Sequence, residues 1–423
     1  MLLSASWLSS TGKREQTLSQ GGIAMAARID PLLYRQEGGG LFRRVREMTD
    51  AMMQKHPGRP VVLLGVGDVT QPLAPAIIKA VHEAADHQAD KKTFHGYFGQ
   101  LPALVNGIIE KDYAARGVSI KPNEVFISVG SGSDINAVST IFAREAEVLI
   151  PDPTYPAYVD INTLLGHKIH YVPCLEENGF VPKPPDFAVD VVYLCSPNNP
   201  TGATMTKADM EEWVVYAKKY GAVIIMDSAY ETFIQDPSLP KSIYEAEGAL
   251  DVAIEIRSFS KTAGFTGMRC GYTVIPSTVM AVADGEPVSV RAMFSKRRAG
   301  TPGYPIQYAA AAYYSDEGYA QCMDNTLYYL NNGKVIRSIL QAVNVECIGG
   351  YNSPYIWFKV PDGYGSWEFL EILLDRHGVV MTPGAGFGSS GEGWMRISCF
   401  GDAAETKRGI ELVAQLCEEL SKK

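Results

Sequence analysis

Val191-Val-Tyr-Leu-Cys195 runs straight into Ser196-Pro-Asn-Asn-Pro-Thr-Gly202. One helix-length segment later, Ala222-Val-Ile-Ile-Met226 runs into Asp227-Ser-Ala-Tyr230. In both places a short apolar run, without polar alternation, ends in a cluster of polar and turn-forming residues. Such runs mark strands buried on both faces. Working outward, Val125–Val129, Val148–Pro151, Lys168–Val172, Val252–Ile256 and Cys270–Ile275 share this character, and most are separated by helix-length segments. Seven such strands predict an α/β fold with a mainly parallel sheet covered on both faces.

Around this centre the periodicity changes. Leu41, Val45, Met48 and Met52 recur at helical spacing, and Gly65 to Pro72 is rich in turn residues. Helices are expected at Pro75–Ala89, Ala103–Arg116 and Gln307–Leu340. The last hundred residues mix strands (Tyr355–Val360, Met395–Cys399) with helices (Ser366–His377, Ala403–Leu420) in an α+β pattern. The expected organisation is a disordered arm over 1–28, a segment 29–70 packing with the small domain, a large domain over 71–300 and a small C-terminal domain over 301–423.

The chain has 423 residues, 46% of them hydrophobic, and a net charge of −9. Its isoelectric point is about 5.4. Phosphate backbones need a basic face, so nucleic acid is not an expected partner. No apolar run reaches the roughly 18 residues a membrane-spanning helix needs. The seven cysteines are scattered and never spaced as CxxC, which points to reduced thiols in a cytoplasmic protein. His82 and His87 are five apart, which is not a helical metal-ligand pair, and no metal is expected. The first 28 residues lack the apolar core of a signal peptide; an organelle-targeting role, or a start at Met25, are the other readings.

The polar clusters at the strand ends carry the chemistry. Ser258-Phe-Ser-Lys261 is followed eight residues later by Arg269. A lysine amine condenses with an aldehyde, while hydroxyls of Ser258 and Ser260 and the Arg269 guanidinium suit a phosphate dianion. Together they fit pyridoxal 5'-phosphate (PLP); a solvated surface lysine is the plain alternative. Asp227, at a strand's C-terminal end, would keep a pyridine nitrogen protonated, or else cap a helix. Asn199 and Tyr230 would donate hydrogen bonds to the phenolate oxygen of the same ring. Ser128-Val-Gly-Ser131-Gly132-Ser-Asp134 is a glycine-rich helix start of the kind that binds phosphate. Asp152-Pro-Thr-Tyr155-Pro-Ala-Tyr158 places an aromatic where it could stack on a ring. Arg396, inside the apolar run Met395–Cys399, needs a carboxylate, from a substrate or from a structural salt bridge.

In their order along the chain these motifs resemble the fold-type I PLP-dependent aminotransferases, and within them the LL-diaminopimelate aminotransferase family. The resemblance covers nearly everything after residue 30. It is densest at Gly65–Pro72, Asp152–Asp160, Cys195–Ala203, Asp227–Tyr230, Ser258–Pro276, Thr382–Gly388 and Met395–Gly401. It implies that Lys261 is the Schiff-base lysine, that Asp227 pairs with the pyridine nitrogen and that Tyr155 stacks on the ring. Asn199 and Tyr230 contact the phenolate, and Ser131, Gly132, Ser258, Ser260 and Arg269 hold the phosphate. Arg396 then binds a substrate carboxylate, with Asn199 and the Gly67 backbone. Tyr97 reaches the phosphate of the neighbouring subunit in a homodimer with shared sites.

Implied with these roles is ping-pong amino transfer between an amino acid and a 2-oxo acid such as 2-oxoglutarate. Oxidase, hydroxylase, lyase and decarboxylase chemistry use the same constellation, and a PLP-binding regulator is the non-enzymatic alternative. Three positions depart from the family pattern. Gly132 stands where a lysine is usual and Tyr304 where an asparagine is usual. Gln100 falls where a glutamate holds the distal end of diaminopimelate, so on this alignment a distal ammonium lacks its anion.

Overall fold

The computed structural model describes residues 18–20, 23–25, 29, 31–35, 40–298 and 300–422. Residues 1–38 and 39–423 are two separate compact units. Most of the expected disordered arm lies outside the described residues. Six residues within it are ordered by pairing: Leu18–Gln20 runs antiparallel to Ile23–Met25, so their backbone groups satisfy one another.

All seven predicted strands form one sheet in the larger unit. They are β1 (Val125–Ser128), β2 (Glu147–Asp152), β3 (Lys168–Pro173), β4 (Val191–Cys195), β5 (Val223–Asp227), β6 (Ala253–Ser258) and β7 (Gly271–Val274). Their order across the sheet is β1-β7-β6-β5-β4-β2-β3. Strands β2 to β6 are parallel, and β7 runs antiparallel to both β1 and β6. Burial matches the absence of polar alternation in β1, β4, β5, β6 and β7. Strand β3 differs: it is the sheet edge, and its residues are only partly covered.

Register sets up the site. Cys195 pairs with Asp227 and Asp227 with Ile256, so the C-terminal ends of β4, β5 and β6 lie level. Gly271 pairs with both Ser128 and Ser258, which brings the loop after β1 beside the end of β6. The loops after β1, β4, β5 and β6 therefore open on one edge, where open α/β sheets bind ligands.

The helices follow their apolar stripes. Helix α1 (Gly40–Lys55) buries Leu41, Val45, Thr49 and Met52, and α2 (Pro75–Ala89) buries Ile77, Ala80 and Ala84. Between sheet strands lie α3 (Ser131–Ser139), α4 (Pro156–Leu165) and α5 (Lys207–Tyr220). The single helix expected over 307–340 is instead two, α6 (Tyr304–Ala312) and α7 (Asp316–Ala342). The break comes at Ser315, whose hydroxyl accepts the Gly318 N–H at 3.0 Å and starts a new helix as its N-cap. Helices α8 (Ser366–His377) and α9 (Ala403–Ser421) belong to the C-terminal region, which also holds a second, antiparallel sheet.

That sheet holds β8 (Cys347–Gly349), β9 (Tyr355–Lys359), β10 (Thr382–Pro383) and β11 (Trp394–Ser398), in the order β8-β9-β11-β10. Strands β8 and β10 escape sequence reading because three and two residues are too short to show a period. Val62–Leu63, before α2, pairs in parallel with Val379–Val380, stitching the early chain to the C-terminal region. Among the described residues no helix is long and apolar enough to cross a membrane. The seven cysteines are unpaired.

Candidate active site

A cavity of about 300 Å³ opens at the level ends of β4, β5 and β6. Twelve residues singled out in the sequence line it: Gly67, Ser131, Gly132, Tyr155, Asn199, Asp227, Tyr230, Ser258, Ser260, Lys261, Arg269 and Arg396.

Lys261 sits on one helical turn, Phe259–Thr262, directly after β6. The Ser258 hydroxyl caps that turn by accepting the Ser260 N–H at 3.1 Å. The Lys261 ammonium donates to the Gly67 carbonyl. Burial, helped by Arg396 and Arg269 and opposed by Asp68, brings its pKa down to about 8. An amine so placed loses its proton far more readily than a surface lysine, and the free amine is the nucleophile.

One wall of the cavity suits a phosphate. Arg269 donates to Ser260 Oγ at 3.1 Å and to the Thr266 carbonyl at 3.2 Å. Its guanidinium lies against Gly130, where a Cβ would come within 2.5 Å of Nη2. Gly130 also has φ of +116°, so only glycine fits the turn between β1 and α3. The next residues, Ser131 and Gly132, open α3 and face the cavity, and nothing lies within 4 Å of where a Gly132 Cβ would stand. Under them, Asp134 accepts from the Ser128 hydroxyl at 2.6 Å, and burial pushes its pKa up to about 7. Free N–H groups of the first helical turn, a guanidinium and serine hydroxyls converge here.

Asp227 marks the deep end. It is 5% exposed. Its Oδ2 accepts from the Tyr158 hydroxyl at 2.7 Å and its Oδ1 from the Ala229 N–H at 3.1 Å. Burial raises its pKa while those two donors lower it. Beside it, the Tyr230 and Tyr355 hydroxyls are 3.0 Å apart.

Arg396 is 1% exposed on β11. Its Nη1 donates to Asn199 Oδ1 at 2.6 Å, and Nη2 to the Gly65 carbonyl at 2.8 Å. Among the described residues its Nε has no hydrogen-bond partner, and the acidic groups bearing on the guanidinium are three tyrosines, Tyr355, Tyr230 and Tyr155, with no carboxylate. Burying a guanidinium against neutral acceptors alone is costly, and burial lowers its pKa.

Two expected residues are not in the cavity. Tyr97 is fully exposed. The Gln100 amide is engaged away from the cavity in this chain. It donates to the Val125 carbonyl at 3.0 Å and accepts from the Ile127 N–H at 2.9 Å and Arg298 at 3.0 Å. It therefore splints the open edge of β1. Gly67 is present, but through a carbonyl that already accepts from Lys261.

Sequence reading missed Tyr158, Tyr355 and Phe42, which also line the cavity. Tyr158 had a signal: it lies three residues after Tyr155, on the same helix face. Tyr355 had none, since an aromatic in an apolar strand reads as core.

The donor set fits PLP. The Lys261 amine could meet an aldehyde, the buried Asp227 carboxylate could meet a pyridine nitrogen, and the wall around Arg269 and α3 could meet a phosphate.

Comparison with known proteins agrees. The model of the family "Aminotransferase class I and II" matches residues 59–413. The chain is 44% identical to an LL-diaminopimelate aminotransferase of Parabacteroides distasonis, covering 92% of this chain and 98% of that one. It is 42% identical to another from Lawsonia intracellularis, covering 89% and 96%. Among solved structures, the L,L-diaminopimelate aminotransferase of Chlamydomonas reinhardtii superposes with a TM-score of 0.85 at 32% identity, covering 93% of this chain and 99% of that chain. A double mutant of Thermus thermophilus aspartate aminotransferase shares the fold, with a TM-score of 0.80 at 20% identity over 92% of this chain and 100% of that chain. The chain belongs to the class I and II aminotransferases, as a PLP-dependent transaminase of the LL-diaminopimelate aminotransferase type.

Proposed function

We propose that this enzyme takes an amino group from LL-diaminopimelate and passes it to a 2-oxo acid, 2-oxoglutarate being the acceptor to test. The observation that carries the reading is Arg396: a buried guanidinium lining the same cavity as Lys261, with no carboxylate bearing on it among the described residues. The relatives at 42–44% identity support the choice of donor. Gln100 does not count against it, since its amide serves β1.

In this reading Arg396 and Asn199 grip the α-carboxylate and fix which face of Cα meets Lys261. The Lys261 amine, with its pKa near 8, removes the Cα proton and returns it on the other side of the transfer. Asp227 is the counter-ion of the ring nitrogen, and Tyr155 covers the ring. Asn199 and Tyr230 hold the phenolate. Ser131, Gly132, Ser258, Ser260 and Arg269 hold the phosphate. PLP, when bound, supplies the aldehyde that accepts the amino group and the ring that takes up the electron pair left at Cα.

The reading includes a homodimer. Tyr97 stands clear of its own cavity, on a loop pinned by Thr301, which donates to the Phe98 carbonyl at 2.7 Å, and Gln307, which donates to the Gly99 carbonyl at 2.8 Å. A rigid loop presenting an exposed tyrosine suits delivery of that hydroxyl to a second subunit's phosphate. The unpaired cysteines favour a reducing compartment such as the cytoplasm.

The test is to incubate the PLP-loaded enzyme with LL-diaminopimelate and 2-oxoglutarate and follow glutamate. Glutamate formed in step with diaminopimelate lost supports the proposal. Ammonia released or O2 consumed, without glutamate, replaces transfer with elimination or oxidation. Glutamate formed from other amino acids alone leaves the transaminase and removes the donor.

A further inference from the structure

Helix α4 faces the cavity with two aromatic residues. Tyr155 is its N-cap, and Tyr158 follows three positions later on the same side. The Tyr158 ring is buried and stacks on Tyr193, with centroids 5.4 Å apart and planes at 27°. Tyr193 is itself anchored, its hydroxyl 2.6 Å from Ser139 Oγ on α3. The Tyr158 backbone carbonyl accepts from the Asn162 amide at 2.7 Å. The ring therefore has little freedom to turn its hydroxyl away from Asp227 Oδ2, 2.7 Å distant.

Among the described residues, Tyr158 and the Ala229 N–H are the donors to this carboxylate. The other titratable groups around Asp227 are Tyr155 and Tyr230, Cys195 on β4, and Asp134 on α3. Cys195 donates to the Pro197 carbonyl, and Tyr230 is paired with Tyr355. Burial drives Asp227 toward its neutral form, and the Tyr158 bond is the largest effect working against that. Tyr158 keeps the proton it donates, because burial first, then Asp227, hold its hydroxyl well above the usual tyrosine range; Cys195 is a further side-chain neighbour of that hydroxyl.

We propose that Tyr158 is a positioning residue of the cofactor site, holding the Asp227 carboxylate ionised and oriented for the pyridine nitrogen of bound PLP. The inference rests on the role given to Asp227 above. It makes α4 responsible for two cofactor contacts at once: Tyr155 over the ring, and Tyr158 behind the carboxylate.

The test uses the full chain with Tyr158→Phe, which keeps the ring and its stack and removes one hydroxyl. Asp227→Asn is the reference. Apoprotein circular dichroism checks the fold, and PLP affinity and the pH titration of bound-cofactor absorbance are the readouts. A lost hydrogen bond to a charged group predicts a PLP dissociation constant raised about 10- to 100-fold. The absorbance midpoint should move the same way as in Asp227→Asn, by less. Wild-type affinity and titration in Tyr158→Phe, beside a defective Asp227→Asn, would leave Tyr158 a packing residue and overturn the inference alone. An Asp227→Asn enzyme that binds and titrates like wild type would overturn the role of Asp227 and the inference with it.

Discussion

The Arg396 guanidinium and the Asn199 side-chain oxygen meet at 2.6 Å. The contact joins β11, near the end of the chain, to the loop after β4. Asn199 Oδ1 thereby fixes Nη1 of the guanidinium, while the Gly65 carbonyl holds Nη2. Arg396→Lys retains the charge but loses the planar fork. The expected result is a KM for the amino acid raised about 10- to 100-fold, the worth of a charge-assisted bond. PLP absorbance should be unchanged. Steady-state kinetics with both substrates varied would check it.

Lys261 gives a pH dependence whose sign is set. In the folded apoprotein its amine holds a proton below about pH 8 and is free above, against 10.5 for an ordinary lysine. Capture of added PLP should accelerate with pH and level off above about 8, as followed by absorbance in rapid mixing. Between about 8 and 10.5 the unfolded chain binds the extra proton, so the Lys261 contribution to stability rises across that window. Below about 8 both states are protonated and the buried charge is a constant cost. Lys261→Met apoprotein should lose this rise in urea titrations. Lys261→Ala should lower turnover by on the order of 10²–10⁴.

Gly130→Ala should injure cofactor binding without touching the cofactor's reactive end. The new Cβ would collide with Arg269 and hold φ in a disfavoured region. A cost of about 1–3 kcal/mol is expected. PLP affinity should fall while the amino acid KM, measured at saturating PLP, stays near wild type.

Gln100→Leu removes three hydrogen bonds at the edge of β1. It should destabilise the chain by about 1–3 kcal/mol in denaturant titrations. The KM for diaminopimelate should not move. A large rise in KM with unchanged stability would return Gln100 to the substrate.

Shared sites can be tested by mixing subunits. Tyr97→Ala and Lys261→Ala chains should each be impaired alone. Mixed dimers should recover activity, because one of their two sites takes Lys261 from one subunit and Tyr97 from the other. Size-exclusion with light scattering should give twice the chain mass. A monomer of wild-type activity would remove the shared-site reading.

The sequence by itself determined the sheet and picked out residues that line one cavity. Seven apolar runs suffice to place the seven strands of the sheet, though the edge strand β3 is only partly covered, and polar clusters at the ends of parallel strands must lie together. Lys261, Asp227, Asn199, Arg269 and Arg396 were legible because charged or amide residues beside buried strands need a reason to be there. What only the tertiary structure decided is which side chains meet. Gln100 lies beside a lone motif in the sequence, yet its amide is used up by the open edge of β1, a relationship across 25 residues that no local pattern encodes. Tyr158 and Tyr355 read as core aromatics, and their hydroxyls gain meaning from Asp227 and Tyr230, which arrive from other strands. The break between α6 and α7 likewise depends on one Ser315 hydroxyl turning to cap a new helix. Burial is a property of the single residue and can be read along the chain. Pairing is a property of two residues and waits for the fold.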